Sequence, residues 1–438
     1  MNKVKLSSVG GVEPIGDLQA TYPLPIYFFI LPQKMRWGYY SMLNRDKKLL
    51  FSILVCTVGI SGFSQGMLLP VIAVIFESDG VSSSLNGFHA ASLYIGILLI
   101  SPIVEEPLRK FGYKPLIMFG GLTVVLSLAL FPMWKSFWFW FLLRFLIGIG
   151  DHTLHFATQT WITAISPTQS RGRNIAVYGL FFSLGFTFGP LMVKLLTVNE
   201  SLPFIISSIM SLFVWLTVFL LKNEYPEQDH HIETASLLGT LKRFSKVSRY
   251  AWVAFLPPFG FGFLEATLNA SFPVYALREG INVNSLSFII PAFAAGSLVT
   301  QIPLGIMSDK FGRRNILMIV LFSGFVIFTT AGFLSQSAIG MLLCFLFAGF
   351  MVGSTFSLGI SYMADLLPNS LLPTGNLLCG IFFSFGSITG PFISGLVIEY
   401  IDGGFFFALS IMLLIIFFSI TFFNESKKLD EPFERTIT

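Results

Sequence analysis

One short apolar stretch, RFLIGIGDHTLHFATQTW at 144–161, carries side chains that can do proton chemistry. At intervals of three and four, which in a helix define one face, stand Arg144, Gly148, Asp151, His155 and Gln159. Arg144 and Asp151 are two turns apart, roughly 10 Å along a helix axis. Asp151 and His155 are one turn apart and can touch. Two interpretations remain open: a carboxyl that carries a proton, and an ion pair that holds helices together.

A second acidic group lies in another apolar stretch, FGFLEATLNASF at 261–272. Glu265 is followed one helical turn later by Asn269. The carboxyl is a candidate for a second proton site or for an anchor that binds a cationic substrate. Alternatively, it pairs with a group elsewhere in the chain.

The amino-acid composition indicates that these two stretches lie in a membrane. Of 438 residues, 54% are hydrophobic and 11% are charged, whereas soluble proteins carry about 25% charged residues. The chain is therefore expected to cross a membrane many times. Because a charge at mid-bilayer costs ~2.5–3.5 kcal/mol on insertion scales, the charged face at 144–161 is expected to line a central cavity.

Apolar runs long enough to cross about 30 Å of hydrocarbon indicate about twelve helices in two sets of six. The first set is 49–76, 85–104, 114–133, 137–163, 174–197 and 202–221. The second is 251–276, 286–307, 315–334, 338–363, 371–400 and 404–423. We predict an all-α membrane protein. Its parts are an N-terminal segment 1–48, a half 49–221, a linker 222–249, a second half 250–424 and a tail 425–438.

The two halves repeat each other. GLFFSLGFTFGP at 179–190 and GIFFSFGSITGP at 380–391 lie 201 residues apart and match at seven of twelve positions. Each copy falls in the fifth helix of its set, and the triplet Lys-Phe-Gly at 110–112 recurs at 310–312. The sequence therefore predicts a tandem duplication with the halves arranged around a central cavity.

Lysine and arginine concentrate in the loops on one side, and Lys135 and Arg278 are the exceptions in loops on the other side. The positive-inside rule then predicts that both termini are cytoplasmic. The apolar stretch 21–31 is too short to span a bilayer. Part of the first ~41 residues is thus expected to be an upstream extension, with the natural start at Met35 or Met42.

Two further motifs combine glycine with charge or proline. The loop GIMSDKFGRR at 305–314 contains Gly305, Asp309, Gly312, Arg313 and Arg314. Gly312 permits a tight reversal, and Asp309 is expected near the beginning of the eleventh helix. In the fifth helix, Gly185 and Gly189 allow close packing and Pro190 introduces a kink.

Together with Arg144 and its glycines, these motifs resemble the signatures of the major facilitator superfamily, especially its drug:proton antiporters, over about 45–425. The resemblance implies twelve membrane helices in two pseudo-symmetric halves. It also implies a loop at 305–314 that latches one conformational state, and a Gly-Pro motif typical of antiporters. The first-half loop departs from the motif, with Glu105 for the leading glycine and Arg109 for the aspartate.

The first functional hypothesis is proton-coupled efflux of lipophilic or cationic small molecules by alternating access. The proton-coupling candidates are Asp151, Arg144, His155 and Glu265. The cavity candidates are Gln159, Asn269, Tyr94, Phe156 and Phe263. The expected partners are protons, a small-molecule substrate and the lipid bilayer of the cell membrane, with no nucleic acid, no cofactor and no metal. The chain is expected to be a monomer.

Three alternatives stay open on the same sequence. Proton-coupled uptake of a small nutrient would need a polar cavity, and lipid flipping would use the same fold. A membrane enzyme would need a catalytic cluster at one face, and the loops there hold only scattered groups such as Glu77, Asp79 and Asp402. No GxxxxGK[ST] motif occurs, so the chain carries no phosphate-binding loop of its own.

Overall fold

The computed structural model describes residues 33–166, 171–226, 244–245, 247–248, 251–367 and 371–423. Residues 1–32, most of the predicted linker and the predicted tail lie outside these residues. Contacts divide the chain into a first unit, 1–50, and a second unit, 51–438. The first unit contains the beginning of the first helix, and the residues discussed as functional lie in the second unit.

The described residues are helical, as predicted, and we number the membrane spans from first to twelfth. The first six are Gln33–Ser78; Ser83–Ile100 with Glu105–Phe111; Tyr113–Leu130 with the 3-10 turn Phe131–Met133; Phe137–Ile165; Arg171–Phe188 with the 3-10 segment Gly189–Thr197; and Leu202–Thr217 with Val218–Leu220. The last six are Trp252–Phe255 with Leu256–Ala270 and Phe272–Arg278; Val283–Phe311; Arg313–Phe333; Ala338–Val352 with Thr355–Leu366; Leu372–Tyr400; and Gly404–Phe422.

Ten helices among the described residues are long and apolar enough to cross a membrane by themselves. The fourth and seventh spans are not among these ten. The fourth carries Arg144 and Asp151, and the seventh carries Glu265 and is interrupted at Ser271. The polar chemistry of the chain is therefore concentrated in the two spans that most need protein neighbours to shield them from lipid.

The repeated glycines lie where two spans touch backbone to backbone. In the first half, Gly185 of the fifth span faces the carbonyl oxygen of Gly59 in the first span, with no room for a Cβ atom. In the second half, Gly386 of the eleventh span faces the carbonyl oxygen of Phe259 in the seventh in the same way. The duplicated motif thus encodes a close helix crossing that is made once in each half.

A second crossing is repeated between the second and fourth spans and between the eighth and tenth. Gly148 faces the carbonyl oxygen of Leu93, and Gly349 faces that of Phe293. The shared contact aligns the fourth span with the tenth, 201 residues later, so each fourth-span residue has a structural counterpart in the tenth.

Glycine also makes the loop reversals at one end of the spans. Gly112 and Gly312 have φ values of 86° and 89°, a left-handed conformation that glycine adopts without strain. This agrees with the tight turn expected at Gly312. We call this the basic end, because Arg109, Arg313 and Arg314 lie here, and we call the other end, with the loops 79–82 and 279–282, the opposite end.

Candidate functional site

Asp151 lies at the centre of a buried polar cluster between the first, fourth and fifth spans. Its side chain has no exposed surface, and its Oδ1 accepts a hydrogen bond of 2.5 Å from the Ser61 hydroxyl. Gln65, one turn further along the first span, lies beside the carboxyl. Oδ2 nevertheless has no hydrogen bond of normal geometry among the described residues. The carboxyl therefore has hydrogen-bonding capacity in reserve.

His155 continues the cluster from Ser61 towards the fifth span. Its Nε2 lies 3.0 Å from the Ser61 Oγ, and its Nδ1 lies 2.6 Å from the Tyr178 hydroxyl. Since the Ser61 hydroxyl donates to Asp151, the Ser61 oxygen accepts from Nε2–H, and Nδ1 accepts from Tyr178. The hydrogen bonds thus run in one direction, from Tyr178 through His155 and Ser61 to Asp151.

Arg144 occupies a separate buried position against the second span. Its side chain is 1% exposed, and Nη1 lies 3.1 Å from the Nδ1 of His89. The Nε and Nη2 atoms have no hydrogen-bond partner among the described residues. Phe76 and Phe137 pack against the His89 ring. Arg144 and Asp151 therefore each bind a different neighbour and do not form an ion pair with each other.

Glu265 lies in the wall of a cavity of about 80 Å³ between the two halves. The fifth span contributes Pro190 to the wall, the seventh contributes Asn269, and the eighth contributes Ser297. The rest of the lining is mainly apolar and aromatic: Phe182, Phe186, Phe261, Ile290, Pro291, Phe293, Ala294 and Leu298, with Ser183. A carboxyl and an amide among phenylalanines can hold the polar end of a small, otherwise apolar molecule.

Tyr94 connects the regions of Arg144 and Glu265. It is 5% exposed and lies within electrostatic reach of both charged side chains. Its ring meets Phe383 of the eleventh span at 6.5 Å, and its hydroxyl lies beside Ser387. Tyr94 therefore fills the contact between the second and eleventh spans, at the level where the buried charges lie.

The other predicted cavity residues lie in different surroundings. Asn269 lines the cavity. Phe263 is buried, with its backbone against Gly390 of the eleventh span. Phe156 is half-buried and Gln159 is exposed, although Ala157, Thr158 and Trp161 beside them are fully buried, so the fourth span is packed on one face only at this level. Among these residues, the structure brings Asn269 and Glu265 together.

The Gly-Pro motif of the fifth span lies at the wall of the cavity. Gly189 faces the backbone of the first span near Met67, and the α-helix gives way to a 3-10 segment at Gly189–Thr197. Pro190, the second residue of that segment, lines the cavity. The Gly-Pro motif therefore fixes the close crossing on one side and shapes the cavity wall on the other.

In the loop motif, Arg313 makes the main contacts. It donates to the Asp365 carboxylate at 2.7 Å and to the Ser361 carbonyl at 2.8 Å. Asp309 approaches Arg313 at 3.4 Å and is 71% exposed. Residues 368–370, before the eleventh span, lie outside the described part of the chain. Further along, Arg314 donates to the carbonyls of the last turn of the twelfth span, and Gly305 has open space around it.

At the opposite end, polar contacts join the two halves. Arg278 Nε binds Glu77 at 2.8 Å, and the amide of Ser84 binds Glu399 at 3.3 Å. Beside them, Gly87 of the second span faces the carbonyl oxygen of Pro391 in the eleventh, without room for a Cβ atom. These contacts hold the halves together at this end.

Lys135 forms a second ionic group at the opposite end, within the first half. Its ammonium lies 2.8 Å from both Asp79 and Glu200. Partial burial lowers the pKa of Lys135, but hydrogen bonds and charges from the two carboxylates outweigh it, so the pKa is raised. Lys135 therefore stays charged at neutral pH.

Sequence reasoning missed Ser61 and Tyr178, which contact Asp151 and His155, and it did not pair His89 with Arg144. Each lies on a different span from its partner. Thr57, Ser61 and Gln65 follow one another at intervals of one turn in the first span, and this spacing is a signal of a polar face there.

Comparison with known proteins gives consistent results. The sequence matches the family model of the Major Facilitator Superfamily over residues 54–295 and 259–437. It is 59% identical over 346 residues to "Uncharacterized MFS-type transporter YfkF" of Bacillus subtilis (strain 168), covering 79% of this chain and 88% of the relative. "Multidrug resistance protein 2" of the same strain is 24% identical over 368 residues, covering 81% and 90%. The solved nucleoside transporter NupG superposes with a TM-score of 0.70 at 13% identity, covering 85% and 98%.

Proposed function

Because the chain belongs to the major facilitator superfamily, we propose that it is a secondary transporter that exports lipophilic or cationic small molecules in exchange for protons. Alternating access of a cavity between the halves would move the substrate. The proposed arrangement has both termini in the cytoplasm, two functional halves at 49–221 and 250–424, and a monomeric chain.

The observation that carries the proposal is a carboxyl inside a membrane span of each half, fully buried at Asp151 and half-buried at Glu265, without a cationic partner among the described residues. Asp151 and Glu265 are absent from every ion pair among the described residues. A buried carboxylate without a counter-charge is costly, so each of these groups favours binding a proton or a cation. That is the property an exchanger of protons and cations needs.

The surroundings support a different role for each carboxyl. Glu265 and Asn269 lie in a cavity lined by aromatic rings, which suits a small cation with an apolar body. Asp151 is enclosed by Ser61, His155 and Gln65 and does not line the cavity that holds Glu265. We assign substrate binding to Glu265 and proton carriage to Asp151.

Closure at one end supports alternating access. The Arg278–Glu77 pair and the Gly87–Pro391 contact join the halves at the opposite end, and ion pairs of this kind can break and reform as halves rock. The name of the Bacillus subtilis relative at 24% identity, a multidrug resistance protein, agrees with export of lipophilic compounds.

Proteoliposomes loaded with a pH-sensitive dye test the function. Addition of tetraphenylphosphonium or ethidium to wild-type protein is expected to move protons, and Asp151→Asn is expected to abolish the movement. Asp402→Asn is the matched control, since Asp402 is exposed in a loop, and it is expected to behave like wild type. Absence of proton movement with every lipophilic cation, from folded protein, would contradict the proposal.

Uptake of a small polar nutrient is the alternative, and the fold similarity to a nucleoside transporter keeps it open. The cavity argues for the first proposal, because most of its lining is apolar. A proton signal produced by nucleosides or sugars, and by no lipophilic cation, would favour the alternative.

A further inference from the structure

We propose that Tyr178, His155 and Ser61 form a proton relay that connects Asp151 with the basic end of the protein. The inference rests on the proposed role of Asp151 as proton carrier. It adds Tyr178 and Ser61 as positioning and transfer residues on a defined path.

The distances make the chain continuous. Tyr178 to His155 is 2.6 Å, His155 to Ser61 is 3.0 Å, and Ser61 to Asp151 is 2.5 Å. All three lie within the range of good hydrogen bonds, and with Ser61 donating to Asp151 the donors follow one another from Tyr178 to Asp151; the Tyr178 hydroxyl also lies 3.4 Å from the His155 carbonyl oxygen. A proton can therefore pass along the chain without any side chain changing its position.

The position of Tyr178 sets the end to which the path leads. The fifth span begins at the basic end with Arg171–Phe188, and Tyr178 lies about two turns, roughly 10 Å, from that beginning. Its side chain is 8% exposed, and Phe182 packs against the His155 ring on the side away from the basic end. Along the span axis Tyr178 is therefore the member of the chain nearest to the basic end, and the His155 ring beside it is half-buried.

The transfer balances in protons and charge. A hydronium ion at the basic end gives a proton to the Tyr178 oxygen and becomes water, and Tyr178 passes its own proton to His155 Nδ1. His155 releases its Nε2 proton to the Ser61 oxygen, and Ser61 releases its hydroxyl proton to Asp151 Oδ1. Asp151 becomes a neutral acid while the three relay groups stay neutral. The reverse sequence returns the proton to water and restores the starting arrangement.

The second half shows that the helix crossing does not require this cluster. By the glycine alignment, the counterparts of His155 and Tyr178 are Phe356 and Cys379. The same crossing is thus built there without a chain of hydrogen bonds. A purely structural role for the first-half cluster is therefore the weaker explanation.

Rapid-scan infrared spectroscopy after a pH step tests the relay without any substrate. The protonated carboxyl band of Asp151 is identified by its loss in Asp151→Asn. In Tyr178→Phe and Ser61→Ala, this band is expected to appear at least about 10-fold more slowly, since a positioned proton-transfer group contributes roughly 10²–10⁴-fold. The final amplitude is expected to stay close to that of wild type.

Ser64→Ala is the matched control. Ser64 is a buried serine of the same span that binds the Ile60 carbonyl and Ser211, outside the relay, and its loss is expected to leave the rate unchanged. His155→Phe, which installs the residue of the second half, is the additional variant if Tyr178→Phe does not fold. It is expected to slow the band as well.

The outcomes separate the relay from the proposed function. If the Asp151 band rises at the wild-type rate in Tyr178→Phe, Ser61→Ala and His155→Phe, the relay is wrong and Asp151 remains the carrier. If no band assigned to Asp151 changes with pH in wild-type protein, Asp151 does not carry protons. The proposed relay is then wrong as well, because it ends at Asp151.

Discussion

The two halves share their backbone contacts and differ in the side chains placed around them. Gly148 and Gly349 make equivalent crossings, as do Gly185 and Gly386. At matched positions, however, the first half is polar where the second is apolar. The pairs are Arg144 with Phe345, Asp151 with Val352, His155 with Phe356 and Tyr178 with Cys379.

The comparison of the two halves shows that the fold requires the glycines at the helix crossings and tolerates different side chains around them. The glycines at the crossings cannot be replaced by larger residues, because a Cβ atom would collide with the backbone of the neighbouring span. The surrounding positions accept either a hydrogen-bonded cluster or an aromatic one, such as Phe345 against Phe272 at 4.3 Å. One half can then specialise in protons and the other in substrate.

The first and seventh spans differ in the opposite sense, because here the second half carries the more polar side chain. Gly62 and Gly262 face the carbonyl oxygens of Phe182 and Phe383, which aligns Gln65 of the first span with Glu265 of the seventh. The first half keeps a neutral amide beside Asp151, and the second half places its acid at the cavity. Asp151 and Glu265 thus occupy non-equivalent positions in the two halves, and only Asp151 is fully buried.

The largest expected effect tests the shared crossings. Gly185→Val is expected to destabilise the protein by more than about 3 kcal/mol, because overpacking against backbone cannot relax, so little folded protein is recovered. Gly179→Ala, in the same motif but with no atoms near its Cβ position, is the control and is expected to fold normally. Size-exclusion chromatography and thermal unfolding measure both. Normal folding of Gly185→Val would contradict the crossing.

The next effect tests the exchanged side chains. Phe345→Ala is expected to lower the free energy of unfolding by about 3 kcal/mol, as for a buried aromatic. Arg144→Met is expected to leave stability unchanged or raise it by about 1 kcal/mol, because a buried charge without a counter-ion is replaced by an apolar chain. Thermal unfolding in detergent compares them. A large loss in Arg144→Met would show that the polar half depends on this charge for its fold.

A smaller effect concerns the contact between the halves. Arg278→Gln is expected to weaken closure at the opposite end by about 1 kcal/mol, the upper end for exposed ion pairs, because the Glu77 side chain is only 17% exposed. Spin labels at Leu85→Cys and Tyr400→Cys, both exposed, report the separation, after exposed Cys56 is replaced by serine. Lys135→Gln breaks ion pairs within one half and is expected to leave the distance unchanged. An equal change in both variants would refute a specific closure contact.

The smallest effect compares the two basic-end loops. Arg313→Gln is expected to cost about 1 kcal/mol, because Arg313 binds Asp365 and the Ser361 carbonyl. Arg109→Gln is expected to cost about 0.3 kcal/mol, because Arg109 pairs with exposed Glu105 one turn away. The unfolding temperatures of the two variants, each compared with wild type, measure this difference. Equal shifts in unfolding temperature would show that the two arginines contribute equally to stability, which contradicts the expectation.

The sequence predicted the elements well and the partners poorly, for a physical reason. Periodicity and apolar length predict twelve helices and place Arg144, Asp151 and His155 on one face. The same reasoning cannot tell which of many serines and tyrosines on other spans meets that face. Ser61 and Tyr178 become partners through the crossing angles of packed helices, which depend on the glycine contacts as a set. Gln159 shares the helical periodicity but is exposed, whereas Thr158 and Trp161 beside it are fully buried.

Direct binding of labelled tetraphenylphosphonium to purified protein tests the division between the halves most directly. Glu265→Gln is expected to weaken binding by about 10–100-fold, as for loss of a charged contact worth roughly 1.5–3 kcal/mol. Asp151→Asn is expected to bind within about 2-fold of wild type, because Asp151 lies outside the cavity. Equal loss in both variants, or no loss in Glu265→Gln, would contradict the assignment of substrate to one half and protons to the other.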